Sequence, residues 1–319
     1  MRILTDAPIS FPGLGIGPID PPDGFTLFGT DFEIKFYGVI IAFGLLLAVL
    51  YCMKRAKLFG LTSDNIIDVA LVGVPCAVIG ARLYYVILYG TPFNEWLRIR
   101  DGGLAIYGGI IGAVLGFALF SLTSKERRSR FLPSADVAGM GLLIGQSIGR
   151  WGNFFNREAF GSYCNNMLAM RLPDRCIRGL ADSPALQELK QKAIEGGYEG
   201  FVQVHPTFLY ESLWNMAGLV LLHFLTKKRR FDGQMFLYYL AWYGLGRFFI
   251  EGLRTDSLMS GSLRTSQVLA IISFALSLAL ILFILAVKKP DPANMLVNRH
   301  IPKAVEEESP DCETTKMEE

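Results

Sequence analysis

Seven long apolar stretches run through this 319-residue chain and set the kind of fold that it can adopt. Most of them are near the ~20 residues that an α-helix needs to cross the hydrocarbon core of a bilayer. They occupy residues 34–53, 66–88, 104–124, 134–150, 206–226, 233–252 and 265–287. Charged residues make up only 19% of the chain, whereas soluble domains carry about a quarter. The sequence therefore predicts an all-α polytopic membrane protein.

Four clusters of lysine and arginine lie between these stretches and predict their orientation. The clusters are at residues 54–57, 125–130, 227–230 and 288–289. Seven spans put all four on one side, which the positive-inside rule assigns to the cytoplasm, and dropping any one span would separate them. We expect seven transmembrane helices with the N-terminus outside and the C-terminus in the cytoplasm. The small net charge of +2 does not favour a nucleic-acid partner.

The segments around the spans divide the chain into an external N-terminal arm, a membrane domain with an external head between its fourth and fifth helices, and a disordered cytoplasmic tail. Their bounds are 1–33 for the arm, 34–287 for the membrane domain, about 151–205 for the head and 288–319 for the tail. Within the head, residues 182–195 have the pattern of a short amphipathic helix. Ser183 and Pro184 suit its N-cap and first turn.

Cysteine and histidine do not form a metal-binding pattern. The chain has five cysteines without a CxxC pair, and its three histidines fall in different regions, so no metal site is expected. Cys164 and Cys176 both lie in the head, where an oxidising exterior permits a disulfide. A bridge and two free thiols both stay open from the sequence.

Several features predict structure rather than chemistry. Glycines recur at four-residue intervals in the third and fourth spans, which predicts close helix packing. These are Gly108, Gly112 and Gly116, then Gly141, Gly145 and Gly149. Asp136, near an inner helix end, is expected to act as a cap or an interfacial charge. Arg82 is expected to pair with a carboxylate or a headgroup, and a substrate contact is the less favoured alternative.

A polar run at residues 149–161, with the sequence GRWGNFFNREAFG, follows the fourth span at its outer end. Charges at membrane depth are costly and mark functional sites. On a helix, four of the polar side chains can share one broad face, because residues three, four and seven apart are neighbours. These are Arg150, Asn153, Arg157 and Glu158. Such a face can hold a phosphate, whereas the alternative is a helix end in the headgroup layer, anchored by Trp151.

Three other segments bring polar residues to the same outer level. Arg247 and Glu251, four residues apart in the sixth span, either form an ion pair that lowers their cost of burial or offer the arginine fork to a phosphate. The fifth span begins with His205 and contains Glu211 one turn deeper. Tyr107 begins the third span. Because four separate segments converge on one depth, they predict one shared site.

The run from Gly149 to Gly161 resembles the signature of bacterial phosphatidylglycerol–prolipoprotein diacylglyceryl transferases, Gly-Arg-x-Gly-Asn-Phe-x-Asn-x-Glu-x-x-Gly. Residues 205–211 and 244–254 resemble later motifs of that family, and the resemblance extends over about residues 34–287. It implies transfer of the diacylglyceryl group of phosphatidylglycerol to the lipobox cysteine of prolipoprotein signal peptides. A thioether forms and glycerol 1-phosphate leaves. The implied setting is the bacterial cytoplasmic membrane, among its lipids, with no cofactor or metal.

The resemblance also implies roles for individual residues. Arg150 binds the phospholipid phosphate, Arg247 is the opposite clamp, and Tyr243 donates to the same phosphate. Asn153 and Asn156 orient headgroup hydroxyls or brace the loop. The expected catalytic residues are Arg150, Asn153, Glu158, Arg247, Glu251 and Tyr107, and the expected substrate-binding residues are Arg150, Arg247, Asn156, Tyr243 and His205.

The proton acceptor stays open at this point. Some members of the family carry a histidine, assigned as a base, where this chain has Tyr107. A tyrosine of pKa ~10 is a weaker acceptor at neutral pH. Tyr107 can be limited to hydrogen-bonding the substrate. Alternatively, the base is elsewhere in the chain, with Glu158 and Glu251 as the candidates.

A lipid or anion transporter is the alternative function, because buried arginines and glycine-lined helices also suit a permeation path. Transporters often contain internal repeats with a site near the midplane. This sequence has no visible repeat, and its polar residues cluster at the outer end of the spans. The pattern favours the transferase.

Overall fold

The computed structural model of the protein describes residues 8–26, 33–98, 102–176, 183–254, 259–260 and 263–299. Its α-helices in those ranges are α1 (Phe36–Arg55), α2 (Ser63–Tyr89), α3 (Ile106–Leu122), α4 (Lys125–Asn156), α5 (Pro184–Glu195), α6 (Thr207–Leu225), α7 (Gln234–Leu253), α8 (Thr265–Phe283) and α9 (Leu296–Arg299). A helix occupies each of the seven predicted apolar stretches. The protein is therefore mostly helical, as the sequence predicts.

Four of these helices are long and apolar enough to cross a membrane. They are α1, α2, α6 and α8, three of them counted with the short helical turns that extend them. Helix α3 is apolar but has only 17 residues. Helices α4 and α7 carry the charged residues of the polar cluster described below. Four candidate spans establish a polytopic membrane protein.

Helix α4 is the centre of the bundle. It packs against α1, α6 and α7, while α2 pairs with α3, and α8 pairs with α7. Twelve of its 32 residues are buried, from Pro133 near its start to Phe154 near its end. Neighbouring helices therefore shelter the polar end of α4, which lowers the cost of placing charge there.

Glycines allow two of the helix pairs to approach closely. The three predicted glycines of α3 lie so near the backbone or Cys76 of α2 that a Cβ atom would overlap them. In α4, Gly141 and Gly149 face side chains of α1, whereas Gly145 faces open space. The predicted close packing is confirmed at every one of these glycines except Gly145.

Contacts between helix ends join the first and third basic clusters, at residues 54–57 and 227–230, at one end of the bundle. Arg55, at the end of α1, donates to the carbonyl of His223 in α6 at 3.0 Å. Arg229 lies over the ring of Phe59, with its guanidinium carbon 4.1 Å from the ring centroid. Asp136 accepts hydrogen bonds from two backbone N–H groups at the start of α7, at 2.7 and 2.8 Å. The expected capping role of Asp136 is confirmed, and the helix that it caps is a neighbouring one.

The head contains a four-stranded antiparallel sheet, which the sequence analysis did not predict. Its strands are β1 (Ile9–Phe11), β2 (Ile16–Ile19), β5 (Met170–Pro173) and β6 (Phe201–Val204), in the order β2-β1-β5-β6. A separate hairpin, β3 (Gly24–Thr26) with β4 (Glu33–Lys35), leads into α1, and a shorter one, β7 (Met259–Ser260) with β8 (Leu263–Arg264), leads into α8. The arm and the head, expected as separate regions, therefore share one sheet and one apolar core.

Helix α5 covers this sheet and begins where the sequence predicts. Ser183 Oγ accepts a hydrogen bond from the backbone N–H of Leu186 at 3.1 Å, and Pro184 occupies the first turn. Leu186 and Leu189 are buried on the inner face of the helix. The predicted amphipathic helix is confirmed.

The structure also bears on the two cysteines of the head and on the C-terminal segment. Cys164 is buried with a free thiol, so the structure gives no bridge at this residue, and the side chain of Cys176 lies outside the described residues. The segment 288–299, expected to be disordered, is instead ordered. The N–H of Leu296 donates to Asp232 at 2.8 Å, and the side chains of Met295 and Leu296 are buried. Burial of these two apolar side chains stabilises the segment, although most of its other residues are polar or charged. Residues 300–319 of the predicted tail lie outside the described residues.

Candidate active site

The polar run forms the last turns of α4 and the turn that follows. The helix ends at Asn156, and Arg157 caps it in the left-handed conformation with φ of 54°. This cap reverses the chain, so the backbone N–H of Glu158 donates to the carbonyl of Asn153 at 3.0 Å. Glu158 therefore faces back over the end of α4, although it lies beyond the helix.

A single carboxylate bridges the two arginines that the sequence analysis singled out. Arg150 Nη2 donates to Glu211 Oε1 at 2.6 Å, and Arg247 Nη1 donates to Glu211 Oε2 at 3.0 Å. Arg247 also pairs with Glu251, with an N–O distance of 2.6 Å. The Glu211 side chain is 4% exposed, whereas those of Arg150 and Arg247 are 18% and 17% exposed. The carboxylates therefore lie beneath the guanidinium groups, which keep some contact with the surroundings.

This arrangement suits an anion at the exposed side of the arginines. A guanidinium has five N–H donors in a planar fork that matches the oxygens of a phosphate. Glu211 holds Arg150 of α4 and Arg247 of α7 close together without covering them. Because breaking a buried ion pair leaves an uncompensated charge, the same contacts fix the three helices relative to one another.

Two asparagines hold the Glu158 carboxylate. Asn153 Nδ2 and Asn156 Nδ2 donate to Glu158 Oε1 at 3.0 and 3.1 Å. Asn153 also accepts a hydrogen bond of 3.3 Å from Arg150 through its Oδ1 atom. Of the two roles left open for the asparagines, the contacts support bracing of the turn. They also connect Glu158 to the arginine pair through one amide.

Tyr37 belongs to this cluster although the sequence did not predict it, and Glu211, expected only at the same outer level, is the residue that bridges the two arginines. A Cβ atom at Gly152 would lie 2.7 Å from the Tyr37 ring, so the glycine allows the ring to pack on α4. Tyr37 also lies within electrostatic range of Glu158 and Arg150. In the sequence, Glu211 could be recognised as a charged residue one turn inside an apolar span, whereas nothing in the sequence pointed to Tyr37. Tyr243, a predicted site residue, lies one turn before Arg247 on α7 and close to Arg150 and Glu211.

Two predicted site residues lie apart from these contacts. His205 Nδ1 lies 3.3 Å from the Tyr210 hydroxyl, and burial lowers the pKa of His205 below its usual value. Tyr107 lies half-buried in the first turn of α3. Among the residues that the structure describes, no hydrogen bond joins either side chain to Arg150 or Arg247. Their roles in the site stay predictions.

Two further arginines have structural partners instead of a shared polar face. The guanidinium of Arg157 points away from Arg150 and pairs with Asp20 and Asp23 of the arm, so the expectation that Arg157 shares that face is wrong. The left-handed cap is the reason, because it ends the helical periodicity before this residue. Arg82 donates to four backbone carbonyls of the loop after α2, those of Glu95, Trp96, Gly102 and Gly103. Its partners are therefore backbone carbonyls and not the carboxylate or headgroup that the sequence led us to expect, and its side chain holds this loop against α2.

Metal ligands do not converge in the described part of the chain. Within it, no group of three histidine, cysteine, aspartate or glutamate residues is arranged to hold a metal ion.

The fold and the cluster define a class of protein: a polytopic membrane protein with two arginines bridged by one buried carboxylate, beside a second carboxylate held by amides. The family model for prolipoprotein diacylglyceryl transferase matches residues 24–283 of the chain. The chain therefore belongs to the prolipoprotein diacylglyceryl transferase family. The transporter alternative has no support from this match.

Individual relatives agree with the family match. The phosphatidylglycerol–prolipoprotein diacylglyceryl transferase of Bacillus cereus strain B4264 is 42% identical over 269 residues, which cover 82% of this chain and 91% of the relative. A protein of the same name from Bacillus mycoides is 43% identical over 269 residues, with the same coverage of both chains. Another from Clostridium novyi is 42% identical over 265 residues, covering 82% of this chain and 95% of the relative. The family match at residues 24–283 thus includes helices α1 to α8.

Proposed function

We propose that this protein transfers the diacylglyceryl group of phosphatidylglycerol to the lipobox cysteine thiol of prolipoproteins. Membership of the family and the names of the relatives supply the reaction. The structural observation that carries the proposal is the pair Arg150 and Arg247 bridged by Glu211, because it provides two fixed cations for one phosphate. Glu158 lies next to this pair and supplies a carboxylate for proton transfer.

The reaction is a displacement at carbon. The peptide thiolate attacks the carbon of the diacylglyceryl group that is bonded to the phosphate oxygen. A C–S bond forms, and the C–O bond between that carbon and the phosphate oxygen breaks. The electron pair of that bond goes to the phosphate oxygen, and glycerol 1-phosphate leaves. Arg150 and Arg247 stabilise the negative charge that develops on the leaving phosphate, an effect that is strongest away from water. In this proposal the thiolate displaces the phosphate directly, without a covalent enzyme intermediate, because Glu211 and Glu251 are engaged by arginines and Glu158 acts as the base.

Glu158 is the proton acceptor in this proposal. A thiol with a pKa of ~8.5 must lose its proton to become a good nucleophile. Glu251 is 3% exposed and its charge is engaged by Arg247. Glu158 instead takes hydrogen bonds from the neutral amides of Asn153 and Asn156, and it is only partly buried. Of the three candidates, Glu158 is therefore the carboxylate that is partly exposed and joined to the arginine pair through the amide of Asn153, whereas Tyr107 serves only as a hydrogen-bonding group.

We propose seven transmembrane helices with the N-terminus outside, which places the site at the outer face of the bacterial cytoplasmic membrane. In support, the first and third basic clusters meet at one end of the bundle, where Arg55 contacts His223 and Arg229 contacts Phe59. Arg150 lies about 38 Å farther along α4 than Lys125, at the 1.5 Å rise per residue of a helix. The positive-inside rule then assigns the arginine pair to the outer face, where exported prolipoproteins arrive.

Purified protein tests the proposal when it is incubated with phosphatidylglycerol and a lipobox peptide. Phosphatidylglycerol labelled in its acyl chains should transfer the label to the peptide, and lipid labelled in its headgroup should release labelled glycerol 1-phosphate in equal amount. A peptide with serine in place of the lipobox cysteine is the matched control and should stay unmodified. Movement of intact phosphatidylglycerol across vesicles without loss of its headgroup would contradict the transferase and favour a transporter.

A further inference from the structure

The N-terminal arm contacts the turn that carries Glu158 through one buried arginine. Arg157 Nη2 donates to Asp20 at 2.7 Å, and Arg157 Nη1 donates to Asp23 at 2.9 Å. The same guanidinium donates to the carbonyls of Pro21 and Phe155, each at 2.9 Å. The Arg157 side chain is only 4% exposed. We refer to Arg157 with Asp20 and Asp23 as the arm clasp.

The clasp acts on the backbone at the end of α4. Arg157 has φ of 54°, a conformation that non-glycine residues adopt uncommonly and at some energetic cost. The buried guanidinium and its acidic partners hold the residue in this conformation. Because Arg157 directly precedes Glu158, its backbone sets the direction in which the Glu158 side chain leaves the turn.

The arm also fixes the opposite side of the cluster. The carbonyl of Asp23 accepts a hydrogen bond from the backbone N–H of Phe36 at 3.0 Å, at the first residue of α1. The Phe36 ring packs against Phe155, with ring centroids 5.6 Å apart. The next residue, Tyr37, packs on Gly152 beside Arg150 and Glu158. Asp23 therefore joins the start of α1 to the end of α4.

We propose that the arm clasp is a positioning device for the reaction, in which Arg157 sets the place of Glu158 and Tyr37 relative to the arginine pair. Arg157, Asp20 and Asp23 touch no substrate in this proposal, and they act through the residues that do. The inference rests on the proposed transferase function. A misplacement of about 1 Å in reacting groups can lower a rate by roughly 100-fold. Loss of the clasp should therefore lower kcat while the membrane bundle stays folded.

The test compares Arg157→Ala with Asp20→Ala/Asp23→Ala and with the triple variant, using phosphatidylglycerol and a lipobox peptide. We expect Arg157→Ala to lower kcat roughly 10- to 100-fold, with the KM for either substrate within about twofold of wild type. The double variant should lose a similar factor. The triple variant should be no slower than the slower of the two, because all three residues form one unit.

Arg171→Ala is the matched control, since Arg171 is a head arginine in β5 that pairs with Gln203 at 2.8 Å and lies away from the turn. It should keep the kcat of wild type. The pH profile gives a second readout, because a displaced Glu158 should shift its acid limb in Arg157→Ala and leave it unchanged in Arg171→Ala.

Three outcomes separate the alternatives. Wild-type kcat and an unchanged pH profile in folded Arg157→Ala would overturn the positioning role and leave the clasp a purely structural contact. If Arg157→Ala does not fold, the Asp20→Ala/Asp23→Ala variant decides in the same way, since it keeps the arginine. Absence of transfer in the wild type itself would contradict the proposed function instead of the clasp.

Discussion

Glu211 in α6 and Arg150 in α4 form an ion pair of 2.6 Å in which the carboxylate is almost completely buried. The two residues are 61 positions apart in the chain. The second oxygen of Glu211 reaches Arg247 in α7, so one acidic side chain determines the spacing of both cations. The polar run of α4 is therefore only part of the proposed phosphate site, which also needs residues of α6 and α7.

Replacing Glu211 with glutamine should impair both stability and activity. The amide keeps the shape of the side chain but leaves Arg150 and Arg247 without their shared negative charge. We expect the free energy of unfolding to fall by about 3 kcal/mol and the transfer rate to fall with it, because breaking a buried pair is costly. Thermal unfolding in detergent and initial rates measure the two effects.

Glu126→Gln is the control for this substitution. Glu126 pairs with Arg130 at the exposed basic end of α4, where an ion pair contributes about 0–1 kcal/mol. This variant should resemble wild type in both measurements. A Glu211→Gln protein as stable and as active as Glu126→Gln would contradict the bridging role.

Glu158→Gln and Glu251→Gln should respond differently to pH. A general base contributes roughly 100- to 10,000-fold, so Glu158→Gln should be slow at pH 7. It should recover part of its rate above about pH 8.5, where the peptide thiol loses its proton unaided. Glu251→Gln lacks the partner of Arg247 and should stay slow at every pH. Equal recovery of both variants in a pH–rate profile would argue against Glu158 as the proton acceptor.

Substituting phenylalanine for Tyr107 removes only a hydroxyl from the first turn of α3. Because the contacts of the arginine pair do not include this hydroxyl, we expect turnover within about threefold of wild type, far from the roughly 100-fold loss of a missing base. Steady-state rates with saturating peptide decide the point. A loss of the larger size with unchanged KM would identify Tyr107 as the base.

The helical bundle and part of the candidate site could be predicted from the sequence. Its apolar stretches are long enough for their length alone to predict a helix, and all seven stretches contain one. The strands of the head have only three or four residues, too few for a readable alternation, so the sheet was missed. Contacts between residues far apart in the sequence, such as Glu211 with Arg150 and Tyr37 with Gly152, were not predicted either, because local spacing does not show which helices pack together. Helical spacing also gave the wrong direction for the Arg157 side chain, because Arg157 has a left-handed backbone conformation and lies just beyond the last residue of α4.

His205 predicts a pH effect on stability. Burial lowers its pKa in the folded protein, whereas an unfolded histidine titrates near pH 6.5. The unfolded state therefore binds the proton more readily, and stability decreases as the pH falls below about 6.5. The midpoint of thermal unfolding should fall less between pH 7.5 and pH 5 in His205→Gln than in wild type. Equal decreases would show that His205 does not contribute.

The central claim is that Arg150 and Arg247 hold one phosphate together, and the initial rate of thioether formation in alanine variants tests it most directly. Rates are measured on folded, membrane-extracted Arg150→Ala, Arg247→Ala and the double variant. Each single variant should lose at least about 100-fold, as when one donor to a developing negative charge is removed. The double variant should lose much less than the product of the two losses. A wild-type rate in Arg150→Ala, or losses that simply multiply, would contradict the shared phosphate site.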